Sequence, residues 1–451
     1  MEQRSTYDRP VGPSRRTMLL GMGGLVLGGA ALSGCGTPLA TGLTGAAPAH
    51  DQFTYWNLFA GGDGDRMVEM ENGFAKANPN IRLSAVTLAW GNPYYTKLSL
   101  ATRGGRPPDV AVAHLTRMQT LARAGLLQPF DSSDLARFGM TPDKFTPKAW
   151  NNAHVDGKLY AIPLDTHPYV LYYNTKVCKQ AGLLKSDGTL VDMHGPDDLL
   201  NALRAMKKVT GKYGLVMATI NDPSSCWRIF ATLYWQQGGV LLADQGAKVV
   251  LDEDKAVKAL ELLHTIAVEE HLMPPAVDDN GTVVAFSTGQ AGFLFDGEWD
   301  NSIYTGNKTP YNMTRFPFVY DTYTCQGDSH TLVLPKDSSR DSARLNECLT
   351  FIKSMLDQSY TWAEGGHIPA WLPMQDSAKY HHLKPQSNYA DVANAVHYDD
   401  EAWYSGSGSD LENVVGGTVS AVALGSLSPT AAVAQIRSRL QGYADTPSPV
   451  S

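Results

Sequence analysis

Short apolar runs alternate with amphipathic stretches along most of the chain. Residues 53–59, FTYWNLF, form an aromatic strand candidate broken by GGDGD. Over residues 65–77, Met67, Met70, Phe74 and Ala77 recur at helical spacing, and Asn78-Pro79 stops the helix. A strand at 81–88, a helix over Tyr94–Ala101, a buried strand at 109–113 and a helix over Met118–Ala124 follow. Strand and helix alternating at this pitch predict an α/β domain with a largely parallel sheet. A second region repeats the logic. It has a strand at 169–173, a helix over Asp197–Lys208 with Leu199, Leu200, Leu203 and Met206 on one face, and a short strand over Tyr213–Ala218. An aromatic helix over Cys226–Gln237, an amphipathic helix over Lys255–Glu270, a helix start at 283–286 and a strand at 291–295 complete it. A third stretch opens with a strand at 330–334 and a helix over Ala343–Leu356. From Gln358 the pattern weakens to short helices and Gly/Ser loops such as SGSGSD at 405–410.

One segment departs from this pattern. Ser14, Arg15 and Arg16 precede a Gly/Ala-rich apolar run from Met18 to Leu32, which closes on Leu32-Ser33-Gly34-Cys35. The run is too short and too glycine-rich for a secure membrane span, and paired arginines before it mark export. It resembles a twin-arginine signal ending in a bacterial lipobox. That resemblance implies an export signal over residues 1–34, lipidation of Cys35, and a protein tethered to the outer face of the cytoplasmic membrane. Residues 35–50 then read as a lipid-anchored flexible tether, small and Pro/Gly-rich without hydrophobic period.

Composition narrows the functional classes. With 43% hydrophobic and 18% charged residues, the body reads as soluble and globular. The formal net charge is −8 and there is no Lys/Arg block, which argues against a nucleic-acid partner. Apart from Cys35, four cysteines stand far apart: Cys178, Cys226, Cys325 and Cys348. No Cys-x-x-Cys pair suggests zinc, and the four allow either two disulfides or free buried thiols. No cofactor and no metal is expected.

Ten short strings occur in a familiar order. They are Tyr55-Trp56 before Gly61-Gly62-Asp63-Gly64, Phe74-Ala-Lys-Ala-Asn-Pro79, Pro108-Asp109-Val110, Ala124-Gly-Leu-Leu127, and Gly157-Lys-Leu-Tyr-Ala-Ile-Pro163. Leu171-Tyr-Tyr-Asn174, Ala181-Gly-Leu183, Gln237-Gly-Gly239, Ser287-Thr-Gly-Gln-Ala291 and Phe295-Asp-Gly-Glu-Trp299 follow. In this order the chain resembles extracellular solute-binding proteins of carbohydrate ABC importers, of the maltodextrin-binding type. The resemblance implies an α/β, two-lobed periplasmic-binding-protein-like fold (type II), with a three-crossing hinge and a ligand cleft between the lobes. It places an N-terminal lobe at 51–164 plus about 325–362, and a C-terminal lobe at about 168–316 plus about 370–451. The crossings would lie near Pro163–Pro168, Phe316–Gln326 and Trp362–Trp371. The implied protein is no enzyme. It acts as a monomer that captures a sugar and delivers it to membrane permease subunits by closing.

A sugar site needs groups that hydrogen-bond several hydroxyls, and flat aromatic platforms. Asp63 and Gly62 lie in a strand–helix loop, where a plain turn with an Asp N-cap is the alternative. His114 ends a strand and serves a hydroxyl or the strand itself. Asp165 follows an apolar strand at the first crossing, where the family carries an acidic residue that holds sugar hydroxyls; His167 is a weaker candidate. Trp227 and Trp235 share a helix face, with Trp227 the ligand candidate and Trp235 core. Trp299, in Asp296-Gly-Glu-Trp-Asp300, matches the family's stacking tryptophan, and its polar neighbours are unlike a core strand; Glu298 joins it. His367 and Trp371 follow Gly365-Gly366 at the third crossing, and His330, after Gly327-Asp-Ser329, is a further candidate. Two rivals remain open. One is a secreted glycoside hydrolase with Asp165 and Glu298 as paired carboxylates; no other catalytic signature is present. The other is a binder of a non-sugar solute.

Overall fold

The computed structural model describes residues 52–449. The arginine pair, Cys35 and the tether lie outside them. The first sheet is built from β1 (Phe53–Asn57), β2 (Leu83–Thr87), β3 (Val110–His114), β4 (Leu127–Gln128) and β5 (Ala161–Pro163). β1 pairs in parallel with β2 and β3, as the alternating pattern predicts. Helices α1 (Gly64–Ala77), α2 (Asn92–Arg103) and α3 (Leu115–Arg123) bury Met67, Met70, Phe74, Leu98 and Met118 against it.

The chain then leaves along β6 (Asp165–Asn174), ten residues buried at every position. This strand is the spine of the second sheet. Around it stand α4 (Gly195–Thr210), β7 (Leu215–Val216), α5 (Pro223–Trp235), α6 (Glu253–His264), β8 (Phe293–Gly297), β9 (Tyr311–Arg315) and β10 (Cys325–Asp328). β8, β9 and β10 all run antiparallel to β6. The return comes through β11 (His330–Pro335), which pairs antiparallel with β3, β4 and β5 in the first sheet. Helices α7 (Ser342–Asp357) and α8 (Ser359–Glu364) cover that sheet. The chain crosses again at β12 (Ile368–Pro369), which pairs with Thr166 and Asp165, and passes β13 (Val396–His397) to α9 (Asp410–Ala423) and α10 (Pro429–Ala444).

Two separate hydrophobic cores result. One draws on residues from Phe53 to Leu164 and from Leu332 to Trp371, the other on residues from Tyr169 to Cys325 and from Ile368 to Leu440. The second crossing falls at Asp328-Ser329-His330, later than Phe316–Gln326, because Cys325–Asp328 still pairs with the second sheet. The tail also differs from its expected short pieces: α9 and α10 have 14 and 16 residues. All four described cysteines are free and buried. Among the described residues no helix is long and apolar enough to cross a membrane.

The lobes meet along a seam. Arg123 Nε donates to Glu401 Oε1 at 2.7 Å, and Thr116 bonds Asp328. At Gly91 and Gly408 the two backbones touch: a Cβ on Gly408, whose φ is +68°, would lie 2.6 Å from Gly91 Cα. Gly408→Ala is therefore expected to prise the seam open and raise the ligand-free radius of gyration in small-angle scattering. Gly139→Ala is the control. It has a φ of +69° with open space around its Cβ, so it carries the same backbone strain, about 1–2 kcal/mol, without the clash. Equal radii for the two variants would refute the seam assignment.

Candidate functional site

The three crossings bring their side chains to one point between the cores. Asp165, the first residue of β6, is fully buried. Its Oδ1 accepts from the His330 backbone N–H at 2.7 Å and faces His167 Nδ1 at 3.2 Å. Its Oδ2 accepts from His330 Nδ1 at 2.8 Å and from Trp362 Nε1 at 2.6 Å. Burial alone would raise the Asp165 pKa, but the His330 charge and the hydrogen bonds hold it well below the ordinary carboxylate range. Burial would lower the His330 pKa, and Asp165 wins and raises it. His167 and His367 are pushed down by burial to about 3 and about 4, so both rings are neutral at pH 7.

Around this ion pair the rings are packed face and edge. His167 stacks on His330 at 4.1 Å, and His367 stacks on Trp362 at 4.1 Å with the planes 2° apart. His114 packs 4.8 Å from His330, and its Nδ1 is 2.8 Å from Tyr95 Oη. From the second lobe come Glu298 and Trp299, at the end of β8. Trp299 is half-buried, 6.1 Å edge-on from His167, with Arg228 of α5 4.8 Å above its ring. The indole folds back over its own strand, since a Cβ on Gly297 would lie 1.9 Å from Trp299 Cη2. This is the physical content of the Asp-Gly-Glu-Trp string.

Four polar atoms here lack a hydrogen-bond partner. Both oxygens of Glu298 and both ring nitrogens of His367 are buried and unpaired. His367 Nδ1 lies only 2.7 Å from Glu298 Oε1, but out of line for a hydrogen bond. Unpaired buried polar atoms are rare and each calls for an explanation. Burial, with Asp165 close by, raises the Glu298 pKa well above 4.5. Above pH 4.5 the unfolded chain thus gives up this proton before the folded one, and Glu298 lowers stability increasingly as pH rises. Glu298→Gln is expected to raise the ligand-free Tm by a margin that is nil near pH 4.5 and widens toward pH 8 in calorimetric scans. A margin that is flat or shrinks with pH would contradict this.

Asp63 stands at the N-cap position of α1 but makes no capping bond. Its Oδ2 instead lies 3.8 Å from His367 Nε2, and burial raises its pKa. Gly62 meets the second lobe, with a Cβ there 3.0 Å from the Trp299 carbonyl. The cluster therefore gathers Gly62, Asp63, His114, Asp165, Glu298, Trp299 and His367. It does not gather Trp227 or Trp371. Trp227 is buried in the second core, edge-on to Trp235 at 5.8 Å, with its Nε1 on Asp399. Trp371 belongs to the first core, 5.1 Å from Phe145. Their helix and crossing positions suggested the cleft; their rings point into packing. Asp165 is central, but its oxygens are engaged by donors within the protein rather than presented free. Trp362 and Arg228 are members that spacing in the sequence does not reveal, and His330, a candidate from the sequence, stands directly on Asp165. Beside His114 the seam opens into a cavity of about 390 Å³, lined by Thr116, Gln119 and Lys148 from one lobe and Tyr398, Asp399 and Glu401 from the other.

Comparison with known proteins places this architecture. Residues 69–394 match the family model described as bacterial extracellular solute-binding protein. The chain is 28% identical over 252 residues to an arabinooligosaccharide-binding protein of Bacillus subtilis (strain 168), covering 54% of this chain and 52% of that one. It is 24% identical over 290 residues to a maltooligosaccharide ABC transporter solute-binding lipoprotein of Streptococcus pneumoniae, covering 61% and 62%. The matches thus span about half to three-fifths of these curated relatives. Among solved structures, the GacH receptor of Streptomyces glaucescens, determined unliganded and with acarbose, superposes with a TM-score of 0.74 at 18% identity, over 88% of this chain and 99% of that one. UgpB of Mycobacterium tuberculosis, in complex with glycerophosphocholine, gives 0.74 at 16% identity with the same coverages, 88% and 99%. Two α/β lobes, three crossings and a polar, aromatic junction agree with the family match over most of the sequence: the chain belongs to the bacterial extracellular solute-binding proteins.

Proposed function

We propose that this protein captures a saccharide between its lobes and delivers it to the permease of an ABC importer. One observation carries the reading: Glu298 and His367, wholly buried at the lobe junction beside the half-buried Trp299 ring, hold four polar atoms without partners. Sugar hydroxyls both donate and accept, so one ring can satisfy a carboxyl oxygen and an imidazole nitrogen while its face rests on the indole. In this assignment Trp299 is the platform, and Glu298, His367 and Asp63 hold hydroxyls. Gly62 lets the first-lobe loop approach, and His114 and Asp165 position the others from behind. The named relatives bind arabino- and maltooligosaccharides, which supports a sugar as the solute class. Closure is selected because the ligand touches both lobes at once.

Binding without turnover is part of the same reading. A glycosidase needs two carboxyl groups free to reach the scissile bond, whereas Asp165 spends its oxygens on His330, His167 and Trp362. We assign residues 1–34 as an export signal of twin-arginine type and Cys35 as the lipid attachment point, with the monomer held beside its permease. A pneumococcal relative described as a lipoprotein supports the anchor.

A thermal-shift screen tests the solute class, because a ligand bound only by the folded state raises Tm. Malto-, arabino- and chito-oligosaccharides form one arm, and glycerophosphodiesters, amino acids and polyamines the other. A shift with at least one saccharide is the expected result. A shift confined to the charged solutes would overturn the assignment.

A further inference from the structure

We propose that Asp165, His167, His330 and His367 form a binding site for one divalent transition-metal ion, zinc above all, at the point where the three interlobe crossings converge. Each of the four offers one ligand atom, and these atoms all lie within 4.8 Å of one another. All four residues are buried. Three imidazoles and one carboxylate make an N3O donor set, which suits zinc rather than magnesium or calcium, whose sites are built from oxygens.

Zinc bonds of about 2.0–2.1 Å in a tetrahedron put ligand atoms about 3.3 Å apart. The Asp165 carboxylate already stands 2.8 Å from His330 Nδ1, 3.2 Å from His167 Nδ1 and 3.4 Å from His367 Nδ1. With Asp165 Oδ2 as the carboxylate ligand, two of the six edges, to His330 and His367, are already near this spacing; His167 faces the other oxygen, Oδ1, and one ligand atom from each of the four lies within 4.8 Å of the rest. Neighbouring groups orient the ligands, as hydrogen-bond partners behind the ligands do in metal sites. Trp362 Nε1 and the His330 backbone N–H hold the carboxylate, and the Trp362 ring holds the His367 plane. His367 supplies a second, independent observation: a wholly buried ring at the site with no hydrogen-bond partner on either nitrogen. A bound ion would give it one. The ligands come from β6, from the start of β11 and from the residue before β12, so the ion would tie all three crossings together.

The test uses chelator-treated, ligand-free protein, so its failure leaves sugar capture untouched. Zinc uptake measured by isothermal titration and elemental analysis is expected to reach one equivalent, with a rise in Tm. Cobalt(II) is expected to give the intense visible bands of a tetrahedral ion with nitrogen and oxygen ligands. The double variant His167→Gln/His330→Gln, checked for folding by circular dichroism, is expected to lose the cobalt bands and bind zinc at least tenfold more weakly. No stoichiometric uptake by the wild type would overturn the proposal. So would uptake unchanged in the double variant, which would put the ion elsewhere. Should the variant fail to fold, X-ray absorption of the wild-type cobalt form decides: a shell without imidazole scattering would equally overturn it.

Discussion

Replacing Asp165 by alanine is expected to destabilise the protein by about 3–5 kcal/mol at pH 7, the range seen when one partner of a buried ion pair is removed. Four donors converge on this carboxylate: the His330 backbone N–H, the rings of His330 and His167, and the Trp362 indole. Without it each is left buried and unpaired, and the His330 ring loses the carboxylate that raises its pKa. The depressed folded-state pKa sets the pH dependence. The stabilisation is complete above the ordinary carboxylate value of 3.8, and it is lost as pH falls through the lower value of the folded state. Urea unfolding of the wild type and of Asp165→Ala at pH 7 measures the difference. A loss below about 1 kcal/mol would mean that the crossings hold together without this carboxylate.

Trp299→Ala is expected to weaken saccharide binding by about 2 kcal/mol, close to thirtyfold in Kd, with little change in Tm. The indole is half-buried, so its truncation leaves no core cavity, while its loss removes the aromatic platform that the second lobe contributes to the cluster. Gly297→Ala reaches the same end by another route. The added Cβ would occupy the place of the Trp299 ring and force it out, so a comparable loss of affinity is expected with the tryptophan still present. Isothermal titration with whichever saccharide shifts Tm reads both. Unchanged affinity in Trp299→Ala would remove the platform role.

Much of this arrangement is legible in the chain. The helices over Gly64–Ala77 and Ser342–Asp357 follow from apolar spacing alone. Asp165 stands out because an acid after an apolar strand needs a partner, and Trp299 because its neighbours are too polar for a core. Asp165 and His330 are 165 residues apart, and only the register of β11 against its sheet brings them together, so no local spacing marks the pair. Trp227 and Trp371 show the converse. An aromatic next to a loop or a crossing reads the same whether it faces a cleft or a core. In the tail, Gly/Ser loops such as 405–410 predict short pieces, where the structure has helices of 14 and 16 residues. Gly416 lies inside α9, where a Cβ would come 1.9 Å from the Pro223 carbonyl of α5. It is there for close helix packing rather than for a turn.

The route of the chain through the two lobes also fixes when each can fold. β11 lies between β3 and β4 in the first sheet, yet it is made only after nearly all of the second lobe's strands. The second core in turn lacks Val415, Val419, Ile436 and Leu440 until the last helices exist. During synthesis, then, β3 carries an unsatisfied edge, of the kind that invites wrong pairing, for more than two hundred residues of growth. Neither lobe can complete itself on the ribosome, and the long separation of the paired segments makes their meeting slow. The late pairing leaves apolar segments of both lobes uncovered in the emerging chain, where chaperones and proteases meet them.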